Sequence, residues 1–405
     1  DDNELLDEVV VVGYGSQKKV NLTGAVASVD VDKTIDSRPI TDIGRALQGA
    51  VPGLTVTTSS GEIGGAPTIK IRGNIGSPSG GGGNPLILVD NVEVTDISMV
   101  NPDDIESISV LKDAASASIY GARGAFGVLL ITTKAKAKHE RLSVKYTNNF
   151  SWRTPTQNPE QLPGWQQAEI NLQGEKNAAA NPSSVTSYNV VGNMRVDAQH
   201  IQKMKEYWEK YGYGDQFGPE MELGRDFEFR DGGMFFIRTW DWYDQYIKDW
   251  SPQQNHSLTI NGGNGKTNYN VALSYLNQEG MMKVNSDEYT RYNGNFSINS
   301  ELNKYISVRA GAMLTRSDYD KPFNYNSDLY DQMYYLYRWQ PMMPYGTFEG
   351  KPFRNAITEQ STAPTMKKQR EYVRFNGGLT LRPFEGFTFD ADFTYSTVEN
   401  RFKKH

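Results

Sequence analysis

The sequence predicts an α+β domain to about residue 138, followed by antiparallel strands of a transmembrane β-barrel, too few to close one. Three observations carry this prediction. In the first part, turn and cap signals separate short helices from short strands. From residue 141 the hydrophobic period becomes two and stays there. The connections between those period-two runs alternate between very short and very long, as the turns and extracellular loops of membrane barrels do.

The chain begins "DDNELLDEVVVVGYG", with Val9 to Val12 as a strand-former that has no evident hairpin partner beside it. In "TDIGRALQGAVPGLTV", Thr41 or Asp42 caps a short helix that stops near Gly49, and Pro52-Gly53 turns the chain into a strand at 54 to 57. "IKIRG" and "PLILVDNV" read as strands. In "NPDD", Asn101 is placed as a cap with Pro102 at the first helical position and two acids in the first turn. A second short helix begins at Asp113, and the glycines from Gly121 to Gly127 lead into a buried strand at about 126 to 133.

In the second part "RLSVKYTNNFSW" sets Leu142, Val144, Tyr146, Phe150 and Trp152 on one face. "TNYNVALSYL" does the same with Tyr269, Val271, Leu273 and Tyr275. The pattern is clearest in "FTFDADFTY", where Phe387, Phe389, Ala391, Phe393 and Tyr395 oppose Thr388, Asp390, Asp392 and Thr394. Seven such strands are expected, joined by tight turns at 262 to 266, 302 to 304 and 383 to 386 and by long segments at 153 to 254, 277 to 290 and 317 to 368. An odd number cannot close an up-and-down barrel, and an open sheet leaves unpaired edges in lipid, so the sequence reads as the front of a longer protein.

Composition narrows the function. With 42 basic and 48 acidic residues among 405 and a net charge of −6, there is no footprint for a nucleic-acid backbone. Cysteine is absent, and His139, His200, His256 and His405 are scattered outside any metal-ligand spacing, so neither a metal site nor a cofactor is expected. Mean hydropathy is −0.60. The apolar runs at 9 to 12, 86 to 89 and 127 to 131 fall far short of the roughly 20 residues of a membrane helix. Barrel strands escape such a test because they alternate.

Several motifs are set aside. "GNGKT" at 263 to 267 lacks the first glycine of a phosphate loop, since Ile260 stands there, and reads as a hairpin turn. "SPSGGGGN" at 77 to 84 reads as a plain flexible loop. Asp390 with Asp392, or Asp103 with Asp104, carries too little to suggest sugar hydrolysis, and no catalytic residue is expected. In the first long loop, "DAQHIQKMKEYWEKY" reads as an amphipathic helix with Ile201, Met204, Trp208 and Tyr211 on one stripe. Trp165, Trp208, Trp240 and Trp242 are candidates to stack on a ligand or a partner; a buried brace under the loop is the competing role.

The stretches "LDEVVVVGYGSQKKVNLTGAV", "ALQGAVPGLTV", "IKIRGN", "PLILVDNV" and "NPDDIESISVLKDAASASIYGARGAFGVLLITTK" resemble the start of a TonB-dependent outer-membrane transporter of the SusC-like branch. "WDWYDQYIKDWSPQQNHSLTINGGNGKTNYNVALSYLNQEG" carries the same resemblance into the strands. The resemblance implies a lumen of about 22 strands stoppered by the first domain. It divides the chain into an arm at 1–15, a plug at 16–138 and the first barrel strands with long extracellular loops at 139–405. Asp7, Glu8, Val9, Val10, Val11 and Val12 resemble the TonB box, a segment that pairs with TonB as an added strand, and Gly13-Tyr14-Gly15 then reads as the hinge of a detachable arm. Arg72 and Arg123 resemble plug arginines that pair with carboxylates of the barrel wall. Implied with them are an outer-membrane location in contact with lipid, a SusD-like lipoprotein over the mouth, and a glycan or peptide as cargo. A siderophore receptor is the alternative, and a soluble β-rich glycan-binding or hydrolysing protein a more distant one.

Overall fold

The structure, a computed structural model, describes the chain except residues 1–8, 13–14, 19–25, 30–42, 58–61, 66, 74–82, 113–116, 135–140, 157–159, 191–193, 231, 324–339 and 405. Its first element corrects an expectation. β1 (Val9–Val12) does have a partner, pairing antiparallel with β2 (Gly15–Lys18) so that Val12 lies opposite Gly15. An extended segment presents a row of N–H and C=O groups that need partners, and the polar run two positions further on supplies them. Asp7, Glu8, Gly13 and Tyr14 lie outside the described residues.

The rest of the first domain contains β3 (Val26–Val29), α1 (Ile43–Leu47), β4 (Leu54–Thr57), β5 (Thr68–Ile71), β6 (Leu86–Val89), β7 (Val92–Glu93), β8 (Ile105–Leu111) and β9 (Val128–Thr133). Five of these strands form one sheet in the order β3-β8-β9-β6-β7, with β6 and β9 parallel. β4 and β5 make a separate ribbon. β9 is buried along nearly its whole length and opens as the continuous apolar run Val128 to Ile131, whereas β8 carries Glu106, Ser107 and Ser109 and is buried from Ile108 to Leu111. Ile43, Leu47, Ile71, Ile108, Val110 and Leu129 fill the core. Gly127 (φ 90°) opens β9 where a Cβ would lie 2.7 Å from Ile71 Cδ1, so only glycine lets the strand approach the ribbon.

Asn101 precedes a single 3₁₀ turn at Pro102–Asp104, as its sequence suggests, but its side chain caps nothing. It reaches instead to Ser257 of the second part, Nδ2 donating to Oγ at 3.2 Å. The helix expected from Asp113 begins outside the described residues, and a 3₁₀ segment at Ser118–Gly124 follows it.

The second part is one seven-stranded antiparallel sheet with folded insertions between its strands. It opens with β10 (Ser143–Arg153). The first insertion holds α2 (Gly164–Ala178), β11 (Ser187–Val190), β12 (Met194–Asp197), α3 (Ala198–Tyr211), β13 (Phe227–Arg230), β14 (Gly233–Phe236) and α4 (Trp242–Tyr246). The sheet resumes with β15 (Ser251–Gly263), β16 (Thr267–Glu279), β17 (Glu288–Asn303) and β18 (Ile306–Pro322). After β19 (Thr347–Phe348), β20 (Lys351–Pro352) and α5 (Ala356–Ser361), it continues with β21 (Thr365–Leu381) and β22 (Phe389–Lys404). The strand order β10-β15-β16-β17-β18-β21-β22 is a meander, and the sheet does not close on itself in this chain.

Exposure along these strands is the reverse of a soluble sheet. On the central strands Phe375 is 52% exposed and Tyr292 48%, while their neighbours on the opposite face, Arg374 and Arg291, are 2% and 4% exposed. The apolar face is the outer one, and the polar face turns toward the first domain. No helix among the described residues is long and apolar enough to cross a membrane.

The insertions are not loose loops. Met204, Phe227, Trp242, Tyr246 and Met342 share a buried core, so the segments between β10 and β15 and between β18 and β21 form a folded cap at one end of the sheet. The predicted helix stands as α3, although its buried stripe is Ile201, Met204 and Tyr207, with Trp208 left half-exposed.

Candidate functional site

The polar face of the sheet matters only because of what it touches, and it touches three stretches of the first domain. The deepest contact surrounds Asp104, which is 2% exposed. Asn270 of β16 donates its amide to Oδ1 at 3.4 Å, and Asn295 of β17 donates to Oδ2. Burial pushes this carboxyl up to about 7, with the two amides opposing the rise and Asp90 adding to it.

Above it, side chains of the wall take hold of backbone carbonyls. Arg291 Nη1 donates to Ser98 O at 2.6 Å, and Asn293 Nδ2 and Thr315 Oγ1 both donate to Met99 O, at 2.7 and 3.1 Å. Arg374, on β21, donates to Val89 O at 2.9 Å. Its neighbour Asp90 accepts from both the backbone and the hydroxyl of Thr133, which fixes the end of β9 beside the contact.

The third stretch is ionic. Arg370 sets Nη1 3.0 Å from Asp96 Oδ2 and donates Nη2 to Thr95 Oγ1 at 2.7 Å. Glu62 Oε1 lies 3.4 Å from the ammonium of Lys321 and 3.4 Å from that of Lys368. Beside them Ile63 is buried among Leu276, Tyr289 and Tyr319. Gly64 (φ 69°) rests on the Tyr289 ring, where a Cβ would come within 2.2 Å of a ring carbon. A cavity of about 210 Å³ lies between residues 62–65 and 96–99 and the wall.

The residues singled out in the sequence are distributed differently. Arg72 is a turn residue with φ 55°, exposed, its N–H donating to Gly53 O at 2.6 Å. Arg123 pairs with Glu93 of the same domain at 2.5 Å, and that pair is also exposed. Neither shows a contact with a described strand of the wall. Instead the arginines at this interface are Arg291, Arg370 and Arg374, which belong to the wall and reach inward. A sequence cannot distinguish them from solvated arginines on a polar face until the register is known. Asp390 and Asp392 do face inward, where Arg309 engages both, at 3.7 and 2.8 Å.

Among the tryptophans, Trp240 and Trp242 are 3% and 0% exposed and cannot stack on a solute while the cap is folded. Trp240 lies under the Arg238 guanidinium, 3.6 Å from its ring centroid, and Trp242 Nε1 donates to Gln340 O at 3.1 Å. Both are braces of the cap core, packed among its other large apolar side chains such as Phe227, Tyr246 and Met342. Trp165, with the Lys205 ammonium above its ring, and Trp208, edge-on to Tyr213, are half-exposed. No cluster of residues able to hold a metal ion occurs among the described residues.

Comparison with known proteins agrees with this architecture. The family model of the TonB-dependent receptor plug domain matches residues 18–128. TonB-dependent receptor P39 of Formosa agariphila is 32% identical over 311 residues, which is 76% of this chain and 25% of that protein. TonB-dependent receptor SusC of Bacteroides thetaiotaomicron is 28% identical over 357 residues, 82% of this chain and 30% of that protein. The RagAB peptide importer in its open-open state superimposes with a TM-score of 0.66 at 23% identity, over 97% of this chain and 43% of that one. The chain therefore spans 25 to 30% of the length of these sequence relatives. With a plug matched by its family model and a wall that is greasy outside and wet within, the chain belongs to the TonB-dependent receptors as a SusC-like member, of which it carries the plug and part of the barrel.

Proposed function

We propose that the protein containing this chain imports an oligomeric nutrient, a glycan or a peptide, across the bacterial outer membrane, energised by TonB. The observation that carries this reading is the seam between plug and wall. Apart from the apolar contacts of Ile63 with Leu276, Tyr289 and Tyr319 and of Met313 and Tyr372 with the plug core, its bonds are charged or polar pairs and carbonyls held by side chains, and water can replace each of these once the seam opens. An apolar seam of the same size would instead expose its surface at full cost. A stopper fastened in this way is stable at rest and yields under a directed pull.

Asp7 to Val12 are proposed as the point of that pull. β1 already uses one edge for β2, so TonB would add itself to the other edge or displace β2. A SusD-like lipoprotein is the proposed partner above the cap, in line with the similarity to SusC and to a structure described as a peptide importer. The reading assigns no catalytic step, since Asp390 and Asp392 are engaged by Arg309 rather than set apart across an open cleft. The test is deletion of residues 7 to 12 in the full-length receptor. Ligand binding is expected to persist and uptake to cease; undiminished uptake by the deletion strain would refute the assignment.

A further inference from the structure

One row of paired residues crosses all seven strands of the wall on its outer face. Asn148, His256, Tyr275 and Tyr292 lie side by side in it, followed by Arg316, Glu371 and Glu399. The two ends of the row satisfy their polar groups differently. At the β10 end the Tyr146 hydroxyl bonds His256 Nδ1 at 2.8 Å, as polar groups facing lipid must bond one another. At the other end Arg316 pairs with Asp318 at 2.9 Å, and Lys367 with Asp320 at 3.3 Å, on a face that stays charged toward the cap. The edge of the apolar surface cuts across this row. Its outermost large side chain is Trp152 on β10, four positions above the row. On β16 and β17 it is Tyr275 and Tyr292, within the row. Leu314 and Val373 end it two positions below on β18 and β21, and Tyr395 four below on β22. β15 interrupts the line with His256 and Gln254, but Trp250 resumes it just before the strand, 62% exposed and two positions beyond Pro252, the partner of Trp152.

We propose that the outer boundary of the bilayer runs obliquely from Trp152 down to Tyr395, so that Trp152 and Trp250 anchor the foot of the cap among the lipid headgroups while the wall at β21 and β22 stands about 20 Å clear of them. The edge falls eight positions, from four above the row on β10 to four below it on β22, over six strand-to-strand steps. At about 3.3 Å per residue and about 4.8 Å between strands, that slope tilts the strands by about 42° from the bilayer normal, within the roughly 35–45° of membrane barrels. A second, independent measure agrees. Every outward position is apolar or glycine at 306–314 on β18, 373–381 on β21 and 387–395 at β22. At that tilt each stretch spans about 22 Å of bilayer, near the roughly 25 Å of such a band. The strand ends do not follow the slope: β10 stops at Arg153, one residue past the edge, whereas β21 begins at Thr365, eight residues above Val373. The first insertion leaves the wall from β10 and rejoins it at β15, so its foot is the part of the cap nearest lipid. The partner there is the outer leaflet where acyl chains meet headgroups, a layer in which indole buries its rings and keeps its N–H among polar groups. The anchor is continuous with the lipid-facing band through Phe150, which is exposed on the same face of β10.

The experiment measures depth with single nitroxide labels on the full-length receptor in phosphatidylcholine vesicles, by electron paramagnetic resonance. This chain has no cysteine that would take a second label. Two labels go on the same row, at Asn148→Cys and at Glu399→Cys. The oblique boundary sets them about 20 Å apart in depth. The label at 148 is expected to collide with oxygen dissolved among the acyl chains, and the label at 399 with a water-soluble nickel chelate. A third label, at Trp250→Cys, is expected at the level of the lipid phosphates. Should Asn148→Cys fail to assemble, Phe150→Cys and Arg401→Cys repeat the comparison on the next outward-facing row, with the same difference in depth. Equal depths within a row, or a label at 250 in bulk water, overturns the proposal. The readout is lipid contact alone, so it stands or falls independently of what the protein imports.

Discussion

Replacing Asp104 by asparagine should abolish a pH dependence that the wild-type plug carries. The carboxyl of Asp104 stands at about 7 in the docked plug against an ordinary 3.8, a rise caused chiefly by burial. Asn295 and Asn270 face it from the wall, with Asp90 and Lys134 as the charged groups near enough to matter. The difference of about 3 pH units, at roughly 1.4 kcal/mol per unit, makes ionisation in place worth up to about 4 kcal/mol against docking. The docked state keeps its proton to higher pH than the released state, so docking stability is fully present below about pH 4 and is lost as pH rises toward 7. Across that window the released population should grow about tenfold per pH unit, then level off. Protease accessibility of the plug in the full-length receptor, followed from pH 4.5 to 8, measures this slope. A wild-type profile without the slope, or an Asp104→Asn profile that keeps it, would refute the reasoning.

Three other substitutions test separate parts of the structure. Phe393→Arg, on the outer face where Phe393 is 72% exposed, should cost about 2–4 kcal/mol if it faces the bilayer midplane and lower the yield of assembled receptor; Thr394→Arg, one residue on and facing inward, should assemble normally. Trp242→Ala empties the middle of the cap and should destabilise it by about 3–5 kcal/mol, seen as new protease cleavage between β10 and β15 with the wall intact. Gly64→Val cannot be accommodated against the Tyr289 ring and should raise labelling of the plug tip without changing assembly.

Much of the wall was legible because a pleated strand with one oily and one wet face must alternate, and each of the seven runs did so. Its inward residues were not recognisable as a site. Asn270, Asn293, Thr315 and Arg374 look like any solvated polar face until the register sets them against the plug. α2 was missed because its buried stripe is Gly164, Ala168 and Leu172, too small to stand out as a hydrophobic period. The pairing of β1 was missed because Gly15–Lys18 has almost no strand propensity and is extended only through its partner. Arg291 and Arg374, which reach the plug from β17 and β21, carry no motif that would mark them, unlike the glycine-flanked Arg72 and Arg123.

The wall grips Val89, Ser98 and Met99 by their carbonyl oxygens, a group that every amino acid carries. Drift in the stopper's own sequence at these places therefore leaves its moorings intact. These three moorings can be loosened only from the surrounding staves, at Arg291, Asn293, Thr315 or Arg374, whereas those at Glu62, Asp96 and Asp104 can be edited in the cork itself.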